Sequence, residues 1–176
     1  LSFPEPPQGR PYVIACFVQS MDGIISYSDV AGREGGYEIA GGSQHDPLFV
    51  GMLRAITGAR LFGGGTLRKE SHGVGTPEDI FPGGSEMFVR QRAKLGFSPE
   101  ILSVLVTEQA EIPLSAKIFH TPRVRSLIYT VPEGVEKLTR IQQHPSATVH
   151  SVSRENLAGD ILKDLAVRHG IRLLLI

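Results

Sequence analysis

A chain of 176 residues suits one domain with one sizeable core. Its 18 acidic and 18 basic residues cancel, so charge points to neither nucleic acid nor an anionic membrane nor a polyanionic partner. No apolar stretch reaches the roughly 20 residues of a membrane helix, no signal-peptide succession appears, and one cysteine, Cys16, cannot form an internal disulfide, so a reducing, cytoplasmic setting is expected.

Pro4, Pro6, Pro7 and Gly9 predict an extended arm over residues 1–10, because proline fixes φ and removes an amide donor. Residues 11–176 are expected to form a single domain. The apolar run 12–20 predicts a strand covered on both faces. Met21-Asp22-Gly23 supplies a turn, and 24–26 a short strand. The glycines between 29 and 43 predict a loop. Leu48, Met52, Leu53 and Ile56 then recur at helical spacing over 44–57, with Gly58 as the stop.

Residues 60–62 read as a strand entering Gly63-Gly64-Gly65-Thr66. Residues 73–84, again rich in glycine and proline, read as a second loop. Strands are expected at 101–107, 126–130, 147–151 and 171–176, and a loop with one turn at 113–119. Helices are expected at 134–143 and at 160–169, where Ile161, Leu162, Leu165 and Ala166 form one stripe before Gly170. This alternation predicts an α/β domain around a mostly parallel sheet. The chain stops inside the apolar run Leu173-Leu174-Leu175-Ile176, which leads to the expectation of further sequence beyond it.

The glycine turn carries the most chemistry. Without Cβ atoms, Gly63, Gly64 and Gly65 let a phosphate or ribose approach the main chain, and Thr66 offers a hydroxyl. A P-loop would need Lys and Ser/Thr after the glycines, and a Rossmann fingerprint a third spaced glycine where Arg68 stands. The turn alone therefore fits a tight strand-to-helix connection as well as it fits a ligand site. Asp22 falls at the carboxyl end of a strand, where α/β sheets hold ligands, and it equally suits a plain turn. Arg54 falls on the helix of the core stripe. The six histidines show no HExxH spacing and no accompanying cysteine pair, so spacing gives no metal site. No Gly-x-Ser-x-Gly elbow supports a hydrolase triad.

Taken together, these segments resemble the reductase domain of bacterial bifunctional riboflavin-biosynthesis deaminase-reductases and the related stand-alone pyrimidine reductases. The resemblance spans nearly the whole chain. It rests on Arg10-Pro11-Tyr12-Val13, Ser20-Met21-Asp22-Gly23, Leu53-Arg54-Ala55, Gly63 to Thr66, the strand before Pro113, and the final helix and strand. It implies a dihydrofolate-reductase-like fold, a homodimer, and NADPH-dependent reduction of a ribosylaminopyrimidine phosphate to its ribitylamino form. By position, it places Val18, Thr66, Glu70 and Thr107, with the glycines, against the dinucleotide. It places Arg54 and Val74 against the phosphorylated substrate. Asp22 is the local candidate for positioning that substrate beside the proton donor the chemistry needs.

The chain departs from the family pattern in several places. Cys16 stands where the bifunctional enzymes have lysine, Ile39 or Ala40 where a tryptophan is expected, and Pro77 where an arginine is expected. A Glu-Gly-Gly segment would follow Ile176. These departures leave two other readings in view: the same cofactor with a different small substrate, and a non-catalytic nucleotide-binding homologue.

Overall fold

The computed structural model describes residues 3–25 and 35–176. Six strands lie in one sheet in the order β1-β6-β2-β3-β4-β5: β1 Tyr12–Ile14, β2 Ala59–Gly63, β3 Ile101–Val106, β4 Val124–Thr130, β5 Ala147–Ser151 and β6 Leu173–Leu175. Every adjacent pair is parallel. Parallel neighbours need crossovers, and the helices supply them on the faces of the sheet.

Strand period 2 divides the core in two. Phe62, Leu105 and Ile128 point to one face, where they meet Ile118, Phe119, Leu138 and Ile141. Leu61, Val104, Leu127 and Tyr129 point to the other, against Ile161 and Leu165 of α8, Leu157–Val167. Leu165, Val104 and Ile128 are fully buried. The predicted stripe on this last helix is therefore the face that packs. Gly170, at φ 63, ends the turn that follows it.

Several elements differ from the sequence expectation. The first strand is only three residues long, not nine. Beyond the strand, Cys16 N still donates to Ile176 O at 2.9 Å. Residues 16–20 then alternate half-buried and exposed positions, with Phe17 exposed. Ile24 bonds back to Ser20 alone, its carbonyl accepting from Ser20 N at 2.9 Å and its amide donating to Ser20 Oγ at 2.9 Å, so a turn and not a strand forms there, and Ser26 lies outside the described residues.

In the expected loop 29–43, residues 29–34, with Gly32, are also outside the described residues. α1, Gly35–Ile39, occupies its later part, before Gly41 and Gly42 at positive φ. α2, His45–Ile56, is the predicted core helix, but its buried residues are Gly51 and Ala55, and Met52 is exposed. The reason is steric. A Cβ at Gly51 would lie 2.6 Å from Phe88 Cζ, so small residues let α5, Ser85–Lys94, close onto this helix.

The expected loop 73–84 contains α4, Pro77–Ile80, with Thr76 accepting from Asp79 N at 3.2 Å. The expected helix 134–143 breaks into α6, Pro132–Val135, a tight turn at Glu136–Leu138, and α7, Thr139–Gln142. A further helix, α3, Gly64–Lys69, starts directly at the end of β2.

Candidate functional site

All strands point the same way, so their carboxyl ends share one edge, which in open α/β sheets is the ligand edge. β2 delivers the glycine turn to this edge, β3 delivers Thr107, and the segment after β5 delivers Arg154. Helix α3 stands between two cavities.

On one side, a cavity of about 480 Å³ is lined by Gly64, Gly65, Arg68, Thr107 and Arg154, among others. Thr107 is buried, and its Oγ1 accepts from Ala110 N at 3.1 Å. This pins a turn in which Ala110 holds the left-handed φ of 57, unusual for a residue with a Cβ. Arg68 donates to Glu111 O at 3.0 Å and Arg154 pairs with Glu108 at 3.1 Å. Both guanidiniums are exposed at the cavity rim, where they can turn to an anion.

The three glycines are not equivalent. A Cβ at Gly64 would meet Thr107 Oγ1 at 3.0 Å and its Cβ at 3.1 Å, so packing within the fold accounts for that glycine. Gly63 and Gly65 are exposed, neither has a positive φ, and a Cβ on either would meet nothing closer than 4.0 Å. Neither backbone strain nor internal packing calls for glycine at 63 or 65. Their main chain is open to solvent on that side.

On the other side of α3, a cavity of about 60 Å³ is lined by Arg54, Arg60, Thr66, Glu70, Gly75 and Asp79. Thr66 and Glu70, one helical turn apart, face this side. Arg54 donates from Nη1 to Gly75 O at 2.7 Å, and Asp79 Oδ2 accepts from Val74 N and Gly75 N, both at 2.8 Å. The cluster balances two guanidiniums against two carboxylates. Burial pushes the Arg54 guanidinium below its ordinary range, with Glu70 and Asp79 opposing. Burial and the neighbouring Arg54 push Arg60 down to about 9, so it stays protonated at neutral pH. Arg60 also lies 4.2 Å above the Phe62 ring.

The predicted site residues therefore divide. Gly64, Gly65 and Thr107 share the larger cavity, Thr66, Glu70 and Arg54 share the smaller, and Gly63 lines neither. Val74 borders the second group, but its side chain is buried in the core, so only its main chain is offered there. Val18 and Asp22 line neither cavity. Asp22 is exposed and accepts from Ser20 Oγ at 2.5 Å inside a turn closed by Gly23 N to Ser20 O. Cys16, half-buried, feels the charges of Asp46 and Arg54, and burial raises its thiol pKa.

Sequence reasoning missed Arg60, Asp79, Arg68 and Arg154. A signal existed for the first two. Arg60 interrupts an apolar strand, and Asp79 follows Thr76 at capping-box spacing. Among the described residues, no helix is long and apolar enough to cross a membrane.

No family model matches the sequence, and no curated protein matches it. Solved structures do share the fold. A pyrimidine reductase-like protein from Corynebacterium diphtheriae superposes with a TM-score of 0.63 at 20% identity, over 94% of this chain and 64% of that one. A diaminohydroxyphosphoribosylaminopyrimidine deaminase/5-amino-6-(5-phosphoribosylamino)uracil reductase from Thermotoga maritima superposes with a TM-score of 0.55 at 16% identity, over 94% of this chain and 38% of that one. The chain thus spans less than two thirds of either protein. The α/β fold expected from the sequence is the fold observed.

Proposed function

We propose that this chain is a reductase that binds NADPH along the glycine turn and reduces a ribosylaminopyrimidine phosphate to its ribitylamino form, a step toward riboflavin. The observation that carries this reading is Gly65, whose bare main chain has no internal explanation and borders a cavity rimmed by Arg68 and Arg154. An open backbone beside two guanidiniums fits a ligand with phosphates. The shared fold with a pyrimidine reductase-like protein and a deaminase/reductase supports the substrate class.

The dinucleotide, when bound, supplies the hydride. This chain's own residues then bind and orient. Gly64 and Gly65 accept the dinucleotide against the main chain, and Thr107 with Ala110 holds the opposite wall. On the other side of α3, Arg54 and Arg60, balanced by Glu70 and Asp79, are the guanidiniums a substrate phosphate would meet.

A second reading keeps the dinucleotide and changes the substrate. It is favoured by Arg54, whose Nη1 is engaged by Gly75 O, and by the buried side chain of Val74. The test is loss of reduced-nicotinamide absorbance over a panel of ribosylaminopyrimidine phosphates and other small carbonyl or imine substrates. Turnover with the phosphoribosyl compounds supports the first reading, and turnover with another member alone supports the second. NADPH binding with no turnover across the panel leaves a nucleotide-binding protein without this activity.

A further inference from the structure

We propose that His150, Asp164 and His169 form a binding site for one zinc-class divalent metal ion, which clamps helix α8 to the edge strand β5. Among the described residues, this is the one group of three or more His, Cys, Asp or Glu side chains whose ligand atoms all lie within 4.8 Å of one another. It is separate from both cavities beside the glycine turn and does not depend on the reductase reading.

The three residues come from three places. His150 is the fourth residue of β5, Asp164 sits on the sheet-facing side of α8, and His169 stands in the turn that Gly170 closes. His150 Nδ1 is 3.9 Å from Asp164 Oδ2, and His169 Nε2 is 3.6 Å from the same oxygen. Both separations are too long for hydrogen bonds. Two donors on a tetrahedral ion with bonds of about 2.0–2.1 Å stand about 3.3 Å apart, so His169 is close to that separation and His150 would have to move inward by roughly half an ångström.

His169 Nε2, the atom that faces Asp164, is buried without a hydrogen-bond partner; on His150 the buried atom without one is Nε2, while Nδ1 faces Asp164. A native protein seldom leaves such groups unmatched.

The surroundings resemble the outer shell of a metal centre. Tyr129 donates its hydroxyl to Asp164 Oδ2 at 2.7 Å and leaves that oxygen a second lone pair. The Tyr129 ring stacks on His150 with centroids 5.0 Å apart, and His169 stands edge-on to His150 at 5.8 Å. Arg168, largely exposed, takes the other oxygen, Oδ1, at 3.2 Å. The three ligand side chains are 15–19% exposed, and His169 also lines a cavity of about 540 Å³ at the amino ends of the strands, which gives an entry path. Two imidazoles and one carboxylate select a borderline ion such as Zn²⁺ over Mg²⁺ or Ca²⁺ and leave a fourth position for water.

The other neighbouring pair, His120 and His144, has rings 5.3 Å apart but is already engaged. His120 Nε2 meets Leu114 O, and His144 Nδ1 meets Ser146 Oγ, both at 2.9 Å. It serves as the internal control.

The experiment uses the whole chain, stripped with a chelator, and Zn²⁺ alone as the probe, in competition with a chromophoric chelator. One equivalent should bind at micromolar concentration or tighter. Zn²⁺ at about 100 times the dissociation constant should raise Tm by roughly 5–10 °C. His169→Ala and His150→Gln, checked for fold by circular dichroism, should each weaken binding at least about tenfold and remove the Tm rise, while His144→Ala should change neither. Co²⁺ in place of Zn²⁺ should give visible bands that His169→Ala abolishes. Three results would overturn the proposal: no saturable Zn²⁺ binding to folded wild type, binding that survives in both site variants, or binding that is lost in His144→Ala.

Discussion

Gly64 and Gly65 are neighbours in sequence but should fail in opposite ways when given a side chain. At Gly64, a Cβ would sit 3.0 Å from Thr107 Oγ1 and 3.1 Å from its Cβ, against a comfortable separation of about 3.5–4.0 Å. Thr107 cannot rotate away without releasing Ala110 N, which its hydroxyl holds at 3.1 Å. Overpacking of this kind costs about 1–3 kcal/mol, and the smaller entropy loss of alanine returns about 0.4–1 kcal/mol. Gly64→Ala should therefore destabilise by about 1–2 kcal/mol, a Tm drop of roughly 3–6 °C for a domain of this size. At Gly65, a Cβ would meet only Arg68 Nη2 at 4.0 Å, and φ is not positive. Gly65→Ala should leave Tm unchanged or raise it. Gly65→Val should nevertheless weaken NADPH binding at least about tenfold, about 1.4 kcal/mol, because its methyl groups occupy the space the dinucleotide needs. Thermal unfolding and calorimetric titration separate the two effects. A folded Gly65→Val protein that binds NADPH as tightly as wild type would remove the glycine turn from the functional argument.

Three further outcomes follow from individual contacts. Arg54→Ala should lose the 2.7 Å bond to Gly75 O, at a cost of about 1.5–3 kcal/mol in denaturant unfolding, and should raise KM for a phosphorylated substrate far more than the NADPH dissociation constant; equal shifts in both would make Arg54 purely structural. Gly51→Ala should destabilise by about 1–3 kcal/mol despite its helical setting, because Phe88 is buried against that position, and an unchanged Tm would show that α2 and α5 pack more loosely than described. Burial raises the Cys16 thiol pKa, so less thiolate is present at any pH near 8 than in a free cysteine. Its alkylation rate should rise with pH to a midpoint above the usual value of about 8.5, and a midpoint below that would contradict the half-buried placement.

The fold was largely legible because its strands are buried on both faces and so read as continuous apolar runs. β3 carries a single polar residue, Ser103, and β4, though it holds Arg125, Ser126, Tyr129 and Thr130, keeps the apolar pair Leu127-Ile128 at its centre. Elements escaped notice where their stability is tertiary. α5 buries only Phe88 and Arg92, one turn apart, too narrow a stripe to stand out among Glu86, Arg90, Gln91 and Lys94. α3 begins with two glycines, the poorest ordinary helix formers, and is set by the strand that feeds it rather than by propensity. The error in α2 has the same origin. A helix buried through Gly51 and Ala55 presents its large apolar residues to the flanks, so hydrophobic periodicity marks the wrong stripe.

The site was legible only where chemistry is local. Gly63 to Thr66 announce themselves in sequence because one turn contains them all. The division of labour around α3 does not, since it depends on which helix face meets Thr107 and which meets Arg54. The histidine-aspartate cluster lies at the far limit of this problem. His150 and Asp164 are separated by a turn and half a helix, and Asp164 and His169 by five residues that cross a helix end, so neither pair has a metal-ligand spacing. Crossing from the edge strand to β6 obliges α8 to pass over the sheet, and this brings its last turns against the Tyr129–His150 pair. The ligand set is thus a product of crossover topology, and a search by spacing alone passes over it.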